Sequence, residues 1–389
     1  MLKFSNSEYQ RRLKKVKESM EKENIEVLLI TNPANMNYLT GYNAWSFYMH
    51  QMVVVALDLE EPLWIGRFMD AIAARKTAWI KHENIIAYPD SYVQSTVVHP
   101  MDFVSDTLKE KGYGSKRIGV EMDTYYFTAK CYESLKNNLP EAEFVNGHRL
   151  VNWVKVIKSD EELEFMKAAG KIMEKGMKEA IDFLNVGIRK CDMAAKIYST
   201  FTQGTEEFGG DYSAIVPLMP TGVDAGACHL TWTDEKYKEG DTVIFELAGC
   251  YQRYHSPMSR TISLGEPSKK LSDTAKITIE GLNKVLDFIK PGVTAEEVEA
   301  VWANNLKKYG LFKESRIGYS TGLNYPPDWG EDTLSLRPGD KTILKPNMTI
   351  HCIPGMYYED FGVEISEAIV ITEDGCETLA NVERKLFIK

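Results

Sequence analysis

One carboxylate in this chain stands where a carboxylate is costly. Glu246 lies inside the apolar run Thr242 to Ala248, TVIFELA. β-branched and aromatic residues dominate that run and both of its faces are apolar, which predicts a buried strand. An ionised side chain there needs a cationic partner or a chemical task. The run itself offers neither lysine nor arginine. Before it come a lone histidine, His229, and the turn Lys238-Glu239-Gly240-Asp241. After it comes a polar segment from Tyr251 through His255 to Arg260. A carboxylate and an imidazole on neighbouring segments can divide base or nucleophile work from proton transfer. Taken alone, a histidine beside a turn reads as an ordinary structural residue; Glu246 does not.

The elements that position these residues are legible in outline. Residues 7–23 have helical periodicity and Val27 to Ile30 predicts a strand. The stretch from Thr31 to Gln51, TNPANMNYLTGYNAWSFYMHQ, is punctuated by Pro33 and Gly41 and reads as an aromatic-packed loop. Met52–Leu57 and Pro62–Ile65 predict paired strands, followed by a helix over 69–79, a strand over 84–88, a helix over 100–111, a strand over 117–120 and a helix over 127–137. This alternation predicts an α/β domain of normal size, residues 1–158. The next domain, 159–389, opens on the capping box Ser159-Asp160-Glu161-Glu162 and a long amphipathic helix. It contains a repeat: KGMKEAIDFLNVG (175–187) lies over EGLNKVLDFIKPG (280–292). Each copy is a helix, a glycine turn and a second helix, leading into strands expected at 212–218 and 243–264, then 349–353 and 363–372. The reading is an α+β domain with pseudo-twofold duplication, its halves sharing a sheet and a site between them.

Composition narrows the function classes. The 389 residues are 44% hydrophobic and 26% charged, with net charge -10 and no charge blocks. A nucleic-acid or anionic-membrane binder is not expected. No apolar run is long enough to span a bilayer. Six scattered cysteines without a CxxC pair suit reduced thiols, so a cytoplasmic location is expected.

The capping-box helix, the duplicated helix pair, GDTVIFELAGCYQRYHSPMSRT and LKPNMTIHCIPGMYYEDFGVEISEAIVIT together resemble the pita-bread superfamily of aminopeptidases, proline dipeptidases and creatinase. The resemblance implies a creatinase-type N-terminal α/β domain followed by a pita-bread domain, with the site on the concave face of a curved sheet. Peptidase members bind two metals through five side chains. Those positions fall here on Glu246, Pro257, Tyr319, Ile353 and Ser366, and one good ligand in five does not make a metal site. No metal and no other cofactor is therefore expected. Creatinase is the metal-free branch, and its working histidine lies in a segment resembling Ala227-Cys228-His229-Leu230.

Within that branch, NMNYLTGYNAWSFYMHQ, YPDSYVQSTVVHPMD, FGGDYSAIVPLMPTG, HLTW, GYSTGLNYPPDWGE and LSLRPGD resemble the ectoine hydrolase family. This resemblance implies opening of a cyclic amidine, with Glu246 and His229 catalytic. Glu364, two residues before Ser366, shares its strand face. Amidinium binding would fall to Glu364 and to Trp45, Tyr48, Tyr212, Trp232, Tyr254, Tyr319 and Trp329, and the substrate carboxylate to His255 and Arg260. It also implies a homodimer whose partner loop, here carrying Trp45 and Tyr48, closes the pocket. Alternatives are another creatinase-type C–N hydrolase, a dipeptidase relative and a silent ligand-binding member of the fold. Retention of Glu246 with His229 disfavours the last, and the lost metal ligands disfavour the dipeptidase.

Overall fold

The computed structural model describes residues 3–389, and the chain divides into two compact units, Met1–Lys155 and Val156–Lys389. The first unit carries helices α1 (Asn6–Lys22), α2 (Pro33–Thr40), α3 (Phe68–Thr77), α4 (Pro100–Glu110), α5 (Ala129–Asn138) and α6 (Leu150–Lys155). Its six-stranded mixed sheet has the order β4-β3-β2-β1-β5-β6. These are β1 (Val27–Ile30), β2 (Met52–Ala56), β3 (Leu63–Arg67), β4 (Ile85–Tyr88), β5 (Arg117–Val120) and β6 (Glu143–Asn146). The segment expected to be loop from Thr31 is in part α2. Asn32 caps it, Pro33 sits in its first turn, and Gly41 ends it at a φ of 77°. The two punctuating residues are thus the ends of one helix, proline inside the start and glycine past the end.

The second unit contains α7 (Asp160–Phe183), α8 (Lys190–Gln203), α9 (Lys269–Phe288) and α10 (Ala295–Lys307). Both expected capping boxes form, Ser159 with Glu162 and Thr294 with Glu297. Strands β7 (Thr242–Tyr251) and β8 (Tyr254–Ser263) make one long hairpin. The later strands are β9 (Gly318–Thr321), β10 (Gly330–Ser335), β11 (Thr349–Cys352), β12 (Met356–Tyr357), β13 (Gly362–Val363), β14 (Glu367–Ile371), β15 (Cys376–Thr378) and β16 (Phe387–Ile388). The two halves do not share one ladder. β16-β8-β7 form one sheet and β10-β9-β11-β14-β15 another, and the Ser366 amide donates to the Ser259 carbonyl between them. Residues 212–218 are not a strand. Only Leu218 bridges to Glu246, because Pro217 and Pro220 flank it and cannot donate to a ladder.

The hairpin register decides which side chains share a face. Glu246 lies opposite Ser259, Ala248 opposite Pro257, and Cys250 opposite His255. The intervening pairs, Phe245 with Arg260 and Leu247 with Met258, point the other way. Phe245, Leu247, Met258 and Ile262 pack with Met173 and Met177 of α7 and Ile197 of α8. In the second half, Leu282 and Val285 of α9 and Trp302 of α10 pack on Ile350, Ile369 and Ile371. Each sheet therefore spends one face on helices and leaves the other for a site, the free face bearing Glu246 in the first sheet and Tyr319 and His351 in the second.

Candidate active site

Glu246 is 6% exposed and Glu364 fully buried. The Glu246 side chain has no hydrogen-bond partner among the described residues. Burial first, then Glu364 and Asp328, push its carboxyl well above the ordinary 4.5. Burial also raises Glu364, but the Tyr357 hydroxyl donates to its Oε2 at 2.7 Å, and Ser259 and the Lys313 ammonium further oppose the rise. In this coupled pair Glu364 is the better-supported anion and Glu246 the better proton holder. The second Glu364 oxygen, Oε1, is buried without a partner. The site thus presents two acceptors at the centre of a negative pocket. Asp328, itself raised by burial, is the third carboxylate there.

A hydrogen-bond network runs through Tyr319 and Ser366, two of the five positions where the resemblance places peptidase metal ligands. The Trp329 indole N–H donates to the Tyr319 hydroxyl at 2.9 Å, and Tyr319 meets His351 Nδ1 at 3.0 Å. His351 Nε2 meets Ser366 Oγ at 2.7 Å, which also accepts from the Ser259 amide at 2.7 Å. Burial lowers His351 to about 3, so this imidazole is neutral. Pro257 and Ile353 offer no donor atom, and the Tyr319 and Ser366 oxygens are already committed. That donor set does not fit a two-metal centre. Among the described residues the one group of three histidine, cysteine or acidic side chains close enough to share an ion is His50, His99 and Cys131, in the first unit. There His99 Nδ1 accepts the Met101 amide at 3.1 Å, so the ring proton sits on Nε2 and neither nitrogen keeps a free lone pair.

Cys228, half-buried, faces both glutamates. Burial, then Glu364 and Glu246, raise its thiol to about 11, which keeps it protonated and a poor nucleophile. His229 follows it, exposed and without a side-chain partner among the described residues. The turn that carries both is held close to β12 and β13: Gly226 lies against the Tyr358 carbonyl and Gly362 against that of Ala225, with no room for a Cβ at either. Beside Tyr357, Lys313 and its neighbours line a cavity of about 430 Å³. Burial lowers Lys313 to about 8, against the pull of Glu364 and Cys228.

Several residues expected at the site are elsewhere. Arg260 is on the helix-facing side of β8 and uses all five N–H groups internally. They go to the Glu383, Ser259, Ser366 and Val382 carbonyls and to Glu367 Oε1 at 2.7 Å. His255 is on the site face, but its Nε2 accepts the Ala214 amide at 3.0 Å and its Nδ1 meets the Gly322 carbonyl at 3.3 Å. Neither is available for a substrate carboxylate. The Tyr212 ring lies under Arg253, 3.7 Å from guanidinium to ring centre, so the face expected for an amidinium is taken. Trp232 packs edge-on against Tyr198 of α8, on the helix side. The Tyr254 hydroxyl donates to Glu162 at 2.8 Å. Tyr319 and Trp329 do line the site, clustered with Ala248 and Ala214. Trp45 and Tyr48, in the first unit, are 58% and 62% exposed. Tyr48 accepts from Arg67 and borders a cavity with His50, Tyr88 and His99.

Tyr357, Asp328, Lys313, His351 and Cys228 escaped the sequence reading. For His351 a signal existed: it stands across the ladder from Tyr319, whose substitution for a ligand left an acceptor to be satisfied.

Comparison with known proteins agrees with the two-domain fold. Residues 164–373 match metallopeptidase family M24, and residues 12–157 match the creatinase/prolidase N-terminal domain. An ectoine hydrolase of Halomonas elongata is 46% identical, with 100% of this chain and 99% of that protein covered. An uncharacterized hydrolase/peptidase of Sinorhizobium fredii is 41% identical over 100% and 99%. Among solved structures, the prolidase of Thermococcus sibiricus superposes with a TM-score of 0.83 at 22% identity, covering 98% of this chain and 99% of that one. The chain therefore belongs to metallopeptidase family M24, in the two-domain form that begins with a creatinase/prolidase N-terminal domain.

Proposed function

We propose that this protein hydrolyses a cyclic amidine, opening the ring of ectoine or hydroxyectoine to an N-acetylated 2,4-diaminobutyrate. The observation that carries this reading is the buried pair of open acceptors, Glu246 and Glu364 Oε1, in a pocket where Glu364 and Asp328 raise Glu246. Such a pocket selects a planar cation with two N–H donors. The full-length relative that bears the name ectoine hydrolase supports the same substrate class.

In this reading Glu364 accepts one amidinium N–H. The arriving cation drives the proton off Glu246. Glu246 then supplies oxygen to the amidine carbon, directly or through a water that it deprotonates. A C–O bond forms, the ring C–N bond breaks, and His229 delivers the proton to the departing nitrogen; on the direct route water then cleaves the acyl-type intermediate, releasing the product and regenerating Glu246. The committed Tyr319, His351 and Ser366 side chains support a reaction routed through carboxylates rather than metals. The exposed Trp45 and Tyr48 support a homodimer in which they find cover, which sedimentation of the purified protein tests. A cytoplasmic enzyme is part of the same proposal.

Turnover of ectoine, hydroxyectoine, creatine and an Xaa-Pro dipeptide in the presence of chelator tests the reading. Ectoine or hydroxyectoine is expected to dominate. Cleavage of the dipeptide alone, and only after metal is restored, sinks it. The pH profile adds a separate expectation. Glu246 must be ionised to act and its carboxyl is raised, so kcat/KM is expected to fall with pH through a value above 4.5. Glu364→Gln removes a neighbouring negative charge, which lowers the Glu246 value and moves that acid limb to lower pH. A limb that stays in place in this variant removes the coupling.

A further inference from the structure

Once Arg260 and His255 are committed internally, the carboxylate of a zwitterionic substrate has no assigned partner. We infer that Lys313 fills that place and is the specificity-determining cation of the site. The inference rests on the amidine reading above. Its ammonium donates to Ser315 Oγ at 2.6 Å and stands 5.0 Å from the centre of the Tyr357 ring. The hydroxyl of that same tyrosine donates to Glu364. Tyr357 thus spans from the Lys313 cavity to the acceptor pair. No carboxylate lies within ion-pair distance of Lys313 among the described residues, so two of its three N–H groups remain for a ligand.

The order of charges matches the substrate chemistry. In ectoine the carboxylate is on the ring carbon bonded to one amidine nitrogen, so the anion must bind beside whatever holds that N–H. With Glu364 on the N–H, the substrate carboxylate falls between Glu364 and Lys313. Charges then alternate from Glu364 through amidinium and carboxylate to Lys313, each with an opposite neighbour. Without Lys313 the substrate carboxylate would face Glu364 uncompensated. The lysine therefore selects amidines that carry an acid over those that do not.

The test compares ectoine with 2-methyl-1,4,5,6-tetrahydropyrimidine, the same ring without the carboxylate, on wild type, Lys313→Met and Lys313→Arg. Lys313→Met is expected to raise KM for ectoine roughly 10- to 100-fold, the value of a charge-assisted contact, with kcat little changed. Turnover of the acid-free ring should respond far less, and only through Glu364, whose anion loses the support of the Lys313 charge. Lys313→Arg should recover part of the ectoine KM, and unchanged melting temperatures show that both variants fold. Equal losses on both rings, or an unmoved KM for ectoine, overturn the inference while the amidine reading stands. Wild type that opens neither ring overturns the amidine reading and the role of Lys313 with it.

Discussion

Glu246→Gln is expected to leave the protein folded and to lower turnover by about three or more orders of magnitude. The amide is nearly isosteric with the carboxyl it replaces. It also relieves a buried carboxyl that no hydrogen bond supports and that Glu364 and Asp328 repel. Melting temperature should therefore hold or rise, because the substitution removes a burden on the folded state. A structural glutamate behaves in the opposite way, losing stability while the remaining folded protein turns over normally. Melting temperature and single-turnover rate measured on one preparation separate the two. His229→Ala belongs in the same series. A proton carrier lost from an exposed turn should cost roughly 10²- to 10⁴-fold in kcat, with little change in substrate binding. An unaffected kcat in that variant takes His229 out of the mechanism without touching Glu246.

Arg260→Met has the second large effect, and it falls on stability. Arg260 and Glu367 are 0% and 2% exposed, and the guanidinium satisfies four carbonyls besides the carboxylate. Removing one partner of a buried pair leaves the other charge uncompensated, at a cost of about 3–5 kcal/mol. In a unit of this size that lowers Tm by on the order of 10 °C. Arg384, 3.6 Å from Glu367, offsets a small part of this. KM for ectoine in the folded fraction should stay near wild type. A raised KM with an unchanged Tm would return Arg260 to the substrate.

The same residue marks where the sequence stops being readable. The fold follows from strong local signals: two capping boxes, a duplicated helix pair and a seven-residue apolar strand. Glu246 stood out because its environment contradicts its charge. Assigning Arg260 required the register of the hairpin, and the usual signal for register is missing. The turn between β7 and β8 is Gln252-Arg253, with both residues at positive φ (51° and 71°) and no Asn-Gly to announce it. Arg253 tolerates that backbone because Tyr212 and Tyr325 hold its guanidinium at 3.7 and 4.8 Å. With the register known, pairing Arg260 with Phe245 puts it on the face away from Glu246 at once. Lys313 and Asp328 lie on loops, and Tyr357 on a two-residue strand, where no periodicity points to a face. Their roles come from long-range packing, which no local pattern encodes.

The central claim, that carboxylates and not metals open an amidinium ring here, is tested most directly in one NMR tube. Chelator-treated wild-type protein is mixed with ectoine and the proton spectrum is followed beside a Glu246→Gln control. The expected result is loss of the ring signals and growth of an N-acetylated 2,4-diaminobutyrate in the wild-type sample, with the control unchanged. Ectoine left intact by wild type, or consumed at equal rates in both tubes, would contradict the account.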